Sequence, residues 1–95
     1  MPSWTFVTNH AVVLSYVAAH PRITAIEMAR KIGITERAVR GIIKDLVDEG
    51  YLSKTKEGRR VLYGVDKTRP LRHSTQKEKI VEDLLRLLHK GKTLF

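Results

Sequence analysis

The run from Ile34 to Gly50 constrains this chain more than any other stretch. It reads as one helix with a start, a stop and two unlike faces. Thr35 is placed to cap the free N–H groups of the first turn. Glu36 puts negative charge at the positive end of the helix dipole, and Gly50 suits the left-handed conformation that ends a helix. On a helical period, Val39, Ile42, Ile43, Leu46 and Val47 share one side. Arg37, Arg40, Gly41, Lys44 and Asp48 fall on the other. An apolar stripe therefore faces a core while cations project from the first three turns. Alone, this is also the pattern of any solvated amphipathic helix, so its neighbours decide its meaning.

The stretch before it is a second, shorter helix. Thr24-Ala25-Ile26-Glu27 has the form of a capping box, in which Thr and Glu satisfy each other's backbone N–H groups. The helix runs to about Lys31, with Ile26, Ala29 and Ile32 expected inside, and Gly33 ends it. Two helices joined by a tight glycine turn, the second longer and basic outside, make a helix-turn-helix. Further upstream, Thr8-Asn9-His10 offers caps for a helix over about 9–19, stopped at His20-Pro21 because a residue before proline avoids helical angles. Leu14 and Val17, with either His10 or Val13, face inward; Val12, Tyr16 and Ala19 form a separate patch. Trp4 and Phe6 precede it and need a docking surface. Arg22-Ile23 suits a single strand-like step.

After Gly50 the period changes. Tyr51–Lys56 and Arg59–Val65 are rich in β-branched and aromatic residues, and Glu57-Gly58 suits the turn of a hairpin. The hairpin is basic at its tip, through Lys54, Lys56, Arg59 and Arg60, and apolar at its base, through Leu52, Val61, Tyr63 and Val65. That gradient fits a ribbon rooted in the core with its tip on a phosphate backbone. Lysines that guard an exposed strand edge are the competing explanation. Asp66–His73 reads as a linker, since Pro70 has no N–H to give. A last helix starts at the capping-box candidate Thr75-Gln76-Lys77-Glu78 and runs to about Lys90, with Gly91 as its end signal. Its apolar residues, Ile80, Val81, Leu84, Leu85, Leu87 and Leu88, cover nearly half its circumference. So wide a stripe suggests a homodimer interface through Ile80, Val81, Leu84, Leu85 and Leu88, with Val12 and Tyr16 of the first helix. Burial within one chain is the alternative.

Composition narrows the functional classes. The 95 residues carry a net charge of +8 and no cysteine, which favours a polyanionic partner and excludes disulfides and thiolate metal sites. The charge is uneven: residues 1–20 hold no Lys or Arg, whereas the hairpin tip is dense in them. No apolar run reaches the length of a membrane span, and no secretory signal is visible, so the expected location is cytoplasmic. No nucleophile–base pair or metal-ligand spacing appears among His10, His20, His73 and His89, so neither an enzyme nor a cofactor is expected. Exposed aromatics for stacking on single-stranded bases are missing. A basic helix lying on a membrane is disfavoured, because the cations are shared between a helix and a hairpin.

The fold class that follows is mainly α with a small β-hairpin wing, divided into residues 1–73 and a dimerising helix over 74–95. Three motifs, Thr24–Ile34 with Ala38-Val39-Arg40, Leu46–Leu52, and the Gly58–Tyr63 wing, together span about residues 8–66. In that order they resemble the winged helix-turn-helix domain of MarR-type and ArsR-type transcriptional regulators. The resemblance implies sequence-specific binding of double-stranded DNA, with the third helix in the major groove and the wing on backbone or minor groove. Carried onto this chain, Thr35, Glu36, Arg37, Arg40, Gly41 and Lys44 face DNA. Arg37 and Arg40 are the expected base readers, since a guanidinium bridges guanine O6 and N7, and Lys44 meets phosphate. Glu36 serves either a cytosine amino group or, in the favoured reading, the helix dipole. Gly41 reflects close approach to the groove or simple tolerance. Thr24, at the N-terminus of the second helix, is a further phosphate candidate. The chain is shorter than typical MarR proteins, which have long leading and trailing helices, so a small-molecule effector is left unassigned. The alternative function is a winged-helix module that binds an acidic protein.

Overall fold

A computed structural model describes residues 8–71 and 78–88. Its elements are α1 (Asn9–Ala19), α2 (Ala25–Ile32), α3 (Glu36–Asp48), β1 (Leu52–Glu57), β2 (Arg60–Val65) and α4 (Val81–Leu88). The expected docking of Trp4 and Phe6, the capping threonine at 75 and the end signal at Gly91 lie outside the described residues.

The three leading helices start and stop where their local signals place them. Thr8 Oγ1 accepts from Ala11 N–H at 3.3 Å, and Thr35 Oγ1 accepts from Ala38 N–H at 3.0 Å. At α2 the full capping box forms: Glu27 N–H donates to Thr24 Oγ1 and Thr24 N–H to Glu27 Oε1, both at 3.1 Å. Gly33 closes α2 at a φ of 85°, where a side chain would be strained. A two-residue link, Ile34-Thr35, then leads into α3.

The core gathers Val13, Leu14 and Val17 of α1, Ala25 and Met28 of α2, and Val39, Ile42, Ile43 and Leu46 of α3. The inward stripe of α2 differs from expectation. Ile26 is 47% exposed, while Met28 is fully buried and Ala29 and Ile32 are half-buried. Only the set Ala25, Met28, Ala29 and Ile32 keeps the 3–4 spacing of one helical face, and Ile26 lies well round from it. In α1, Val13 rather than His10 completes the inward face. Ser15, a polar residue that periodicity passes over, is also fully buried. Its hydroxyl donates to Ala11 O at 2.9 Å, so its burial leaves no unpaired donor.

β1 and β2 pair antiparallel from Leu52↔Val65 to Glu57↔Arg60. The turn is therefore Gly58-Arg59, one residue later than expected, with Gly58 at a φ of 61°. Arg59 sits in the turn and not in the strand. The outer edge of β2 is anchored where Tyr63 N–H donates to Pro21 O at 2.9 Å. Arg22-Ile23, expected as a strand-like step, forms no strand or bridge, and Arg22 lies in a turn.

The described part of the expected linker, residues 66–71, is structured. Asp66 Oδ1 accepts from Thr68 N–H and Oγ1–H at 3.0 and 2.7 Å, which holds its carboxyl below the usual range. Pro70 then makes an isolated antiparallel bridge to Ile80. The bonds of that bridge are Leu71 N–H to Lys79 O at 3.0 Å and Val81 N–H to Arg69 O at 2.9 Å. Both N–H groups belong to neighbours, so the proline's missing donor costs nothing. Arg69 donates to Glu49 O at 2.8 Å, beyond the end of α3, and its guanidinium lies 5.9 Å from the centroid of the Tyr51 ring. Tyr51 O–H reaches Pro70 O at 2.7 Å. A cation placed on a carbonyl at the negative end of a helix is favourable. Gly50, at a φ of 82°, leaves room for it: a Cβ there would come within 3.0 Å of the guanidinium.

The last helix starts at Val81 and not near Thr75, because residues 78–80 are committed to a turn and the bridge. Asp83 Oδ2 accepts from Ile80 N–H at 3.0 Å at this start. Glu82 and Arg86 pair at 3.3 Å as their spacing predicts. Val81 and Leu85 are buried in the same core cluster as α1 and α3. Their assignment to a surface between two copies is thereby corrected. Ile80, Leu84 and Leu88 are half-buried, as are Val12 and Tyr16, and Leu87 is 77% exposed.

Candidate nucleic-acid interface

The outward face of α3 is as the sequence places it. Arg37, Arg40, Gly41, Lys44 and Asp48 are exposed, opposite the buried stripe. A Cβ added to Gly41 would meet nothing within 4 Å, so no contact inside the chain demands a glycine there. The cations differ in their freedom. Arg37 enters no ion pair among the described residues. Arg40 is held by Glu36, whose Oε2 takes both Nε at 2.8 Å and Nη2 at 2.5 Å. Lys44 Nζ lies 2.7 Å from Asp48 Oδ2, and that pairing raises its ammonium pKa. Each is an i, i+4 pair, a spacing visible in the sequence although the residues were read singly. Further along, Asp45 Oδ2 meets His10 Nε2 of α1 at 2.8 Å, so the last turns of α3 are acidic and partly engaged with the scaffold.

The wing cations do not form one cluster. Neighbours along a strand point to opposite faces, and the register sets Lys54 opposite Tyr63 and Lys56 opposite Val61. Tyr63 packs against the core, so these lysines share the core-facing side of the wing. Burial raises the Tyr63 phenol pKa, and the nearby charge of Arg40 acts against that rise. Arg59 occupies the turn. Arg60 lies on the opposite face, where Arg22 Nε is 3.1 Å from Glu57 Oε1. It lines an open cleft of about 570 Å³ with Pro21, Arg22, Glu27 and Lys31. Lys31 and Arg22 thus widen the basic surface in a direction that no local motif announced.

Thr24 is exposed but already engaged: its hydroxyl and its N–H both serve the capping box. The same bonds hold the Glu27 carboxyl below its usual pKa. A carboxylate therefore stands at the N-terminus of α2, where a phosphate was expected, and Thr24 serves the helix first. Among the described residues, no group of three or more His, Cys, Asp or Glu is arranged to hold a metal ion. No helix among them is long and apolar enough to cross a membrane.

Residues 12–53 match a family model described as winged helix-turn-helix DNA-binding. No curated protein matches the chain in sequence. Among solved structures, the chain is similar to the zinc-dependent MarR family transcriptional regulator AdcR in its Zn(II)-bound state. The two share 25% identity and a TM-score of 0.53 over 70% of this chain and 47% of AdcR. It is also similar in fold to MepR, a transcription regulator of the Staphylococcus aureus multidrug efflux pump MepA, at 19% identity and a TM-score of 0.58. That match covers 86% of this chain and 58% of MepR. MepR in its S. aureus DNA complex gives 17% identity and a TM-score of 0.59 over 86% and 56% of the two chains. The chain therefore spans about half the length of these proteins. Helix-turn-helix, hairpin wing and these likenesses agree on the fold: the described chain is a winged helix-turn-helix, similar in structure to MarR family regulators.

Proposed function

We propose that the chain is a sequence-specific, double-stranded-DNA-binding transcriptional regulator. The observation that carries this reading is the row of exposed cations on α3, followed in the chain by a hairpin whose lysines and arginines are exposed as well. The regulators it is similar to point the same way, one of them seen in a DNA complex. In this reading α3 enters the major groove by its first three turns. Arg37 and Arg40 meet base edges, with Thr35, Glu36 and Gly41 beside them. Lys44 and the wing residues Lys54, Lys56, Arg59 and Arg60 meet phosphates.

Two classes of contact give two signatures. Arg40→Ala is expected to cost roughly 1–3 kcal/mol on the preferred site and to relax preference at one base position. Lys56→Ala is expected to weaken all sequences alike and to reduce the salt slope by about 1. Fluorescence anisotropy on a selected and a scrambled duplex, across a salt series, reads both. Identical behaviour of the two variants would remove the division between base and phosphate contacts.

The reading includes a twofold dimer, which sets two recognition helices about 34 Å apart and matches a near-palindromic site. In this reading the dimer surface is the outer side of α4, through Leu84, Leu87 and Leu88, with Val12 and Tyr16 of α1. Sedimentation at micromolar concentration is expected to give twice the mass of the 10.9 kDa chain. A purely monomeric boundary would rule the dimer out.

A further inference from the structure

The pair formed by Glu36 and Arg40 is asymmetric in a way that bears on recognition. Glu36 uses one oxygen, Oε2, for both guanidinium contacts. Its Oε1 has no partner among the described residues, and neither have the remaining N–H groups of Arg40. Glu36 is 38% exposed and Arg40 66%, so the carboxylate is the better-anchored partner and the guanidinium the better-presented one. Both lie in the first two turns of α3. A fixed acceptor thus stands beside fixed donors on the part of the helix that meets base edges.

In the major groove a G·C pair presents two acceptors, guanine N7 and O6, followed by a donor, cytosine N4–H. Donors from Arg40 and an acceptor from Glu36 are the complement of that order. At an A·T pair the same side chains meet adenine N7, adenine N6–H and thymine O4. The carboxylate would then face the lone pairs of thymine O4, and both oxygens would lose water without gaining a bond.

We propose that Glu36 is a specificity-determining residue: with Arg40 it reads one G·C pair as a unit, and its free oxygen excludes thymine from the partner strand. This rests on the DNA-binding reading given above. Glu36 is then more than a charge for the helix dipole. The dipole requires only negative charge near the N-terminus, whereas this role requires a side chain long enough to hold Arg40 and reach a base together.

Two variants separate these roles. Glu36→Gln keeps the length, removes the charge and adds a donor that thymine O4 accepts. Glu36→Asp keeps the charge and is one methylene too short to serve both partners. Each is compared with wild type by competition of duplexes that carry G·C or A·T at each site position, with helicity and thermal melting confirming the fold. Wild type is expected to prefer G·C over A·T at one position by roughly 10-fold or more. Both variants should bring that preference below about 3-fold while preferences elsewhere in the site stay as they are. If both variants keep the wild-type preference and change only overall affinity or salt slope, the proposal is overturned and the DNA-binding reading stands. If wild type binds no duplex at any salt concentration, the reading itself fails and the proposal with it.

Discussion

Neutralising Arg37, Arg40, Lys54, Lys56, Arg59 and Arg60 together is expected to lower affinity for random-sequence duplex by roughly 10³-fold or more at about 0.1 M salt. The salt slope should fall by up to about 4, since each of the four phosphate contacts among them contributes about 0.9. None of the six side chains is in the core, and Arg40 alone among them makes an ion pair within the described residues. The folded state therefore loses little, and unchanged thermal melting would show that binding and not folding was removed. Lys31, Arg22 and Lys44 remain in this variant, so residual binding reports the basic cleft beside Arg60. Full retention of duplex affinity would mean that the DNA-facing surface lies elsewhere on the molecule.

The second large effect concerns the core. Met28→Ala is expected to destabilise the domain by about 2–5 kcal/mol, the range for emptying a buried long side chain. A chain of this size has a total stability of about 5–15 kcal/mol, so the loss is a large fraction of the whole. At roughly 4–8 °C per kcal/mol, the melting temperature should fall by more than about 10 °C. Ile26→Ala serves as the control. Two residues away and 47% exposed, it should change stability by no more than about 1 kcal/mol. Equal effects at the two positions, read by thermal or urea melts, would contradict the inward stripe of α2.

That stripe also shows where sequence alone stopped being informative. α1, α2 and α3 were legible because their caps, stops and periods are local. Thr24 with Glu27, Gly33, and Thr35 with Gly50 each act within a few residues of themselves. Eight residues in α2 are too few to fix the phase of its period, so Ile26 and Met28 exchanged places. The hairpin turn slipped by one residue because Gly58 identifies one turn position and leaves its partner open between Glu57 and Arg59. Where the long-range contacts decide, the signal was absent. Nothing near Arg69 announces that it meets Glu49, nor that Pro70 pairs with Ile80. A capping signature at Thr75 outweighed a start at Val81 that depends on that pairing.

The candidate site divides in the same way. The exposed row on α3 followed from periodicity. The i, i+4 spacing of Glu36 and Arg40, and of Lys44 and Asp48, is present in the sequence, but only the structure shows the pairs formed. Which carboxylate oxygen stays open is a matter of rotamers and needs the structure. The split of the wing cations needs the register: Lys54 and Lys56 share the face of Tyr63 while Arg60 turns toward Arg22 and Lys31. Thr24 was placed correctly, but its hydrogen bonds give it to the helix.

The contacts of Arg69 have a mechanical consequence. Its guanidinium bears on the carbonyl of Glu49, on the backbone of Gly50 and on the ring of Tyr51, while its own carbonyl is bonded to the first residue of α4. One residue thereby joins the end of α3 to the start of α4. In a pair of chains joined through α4, the distance between the two recognition helices would be geared to the docking angle of α4.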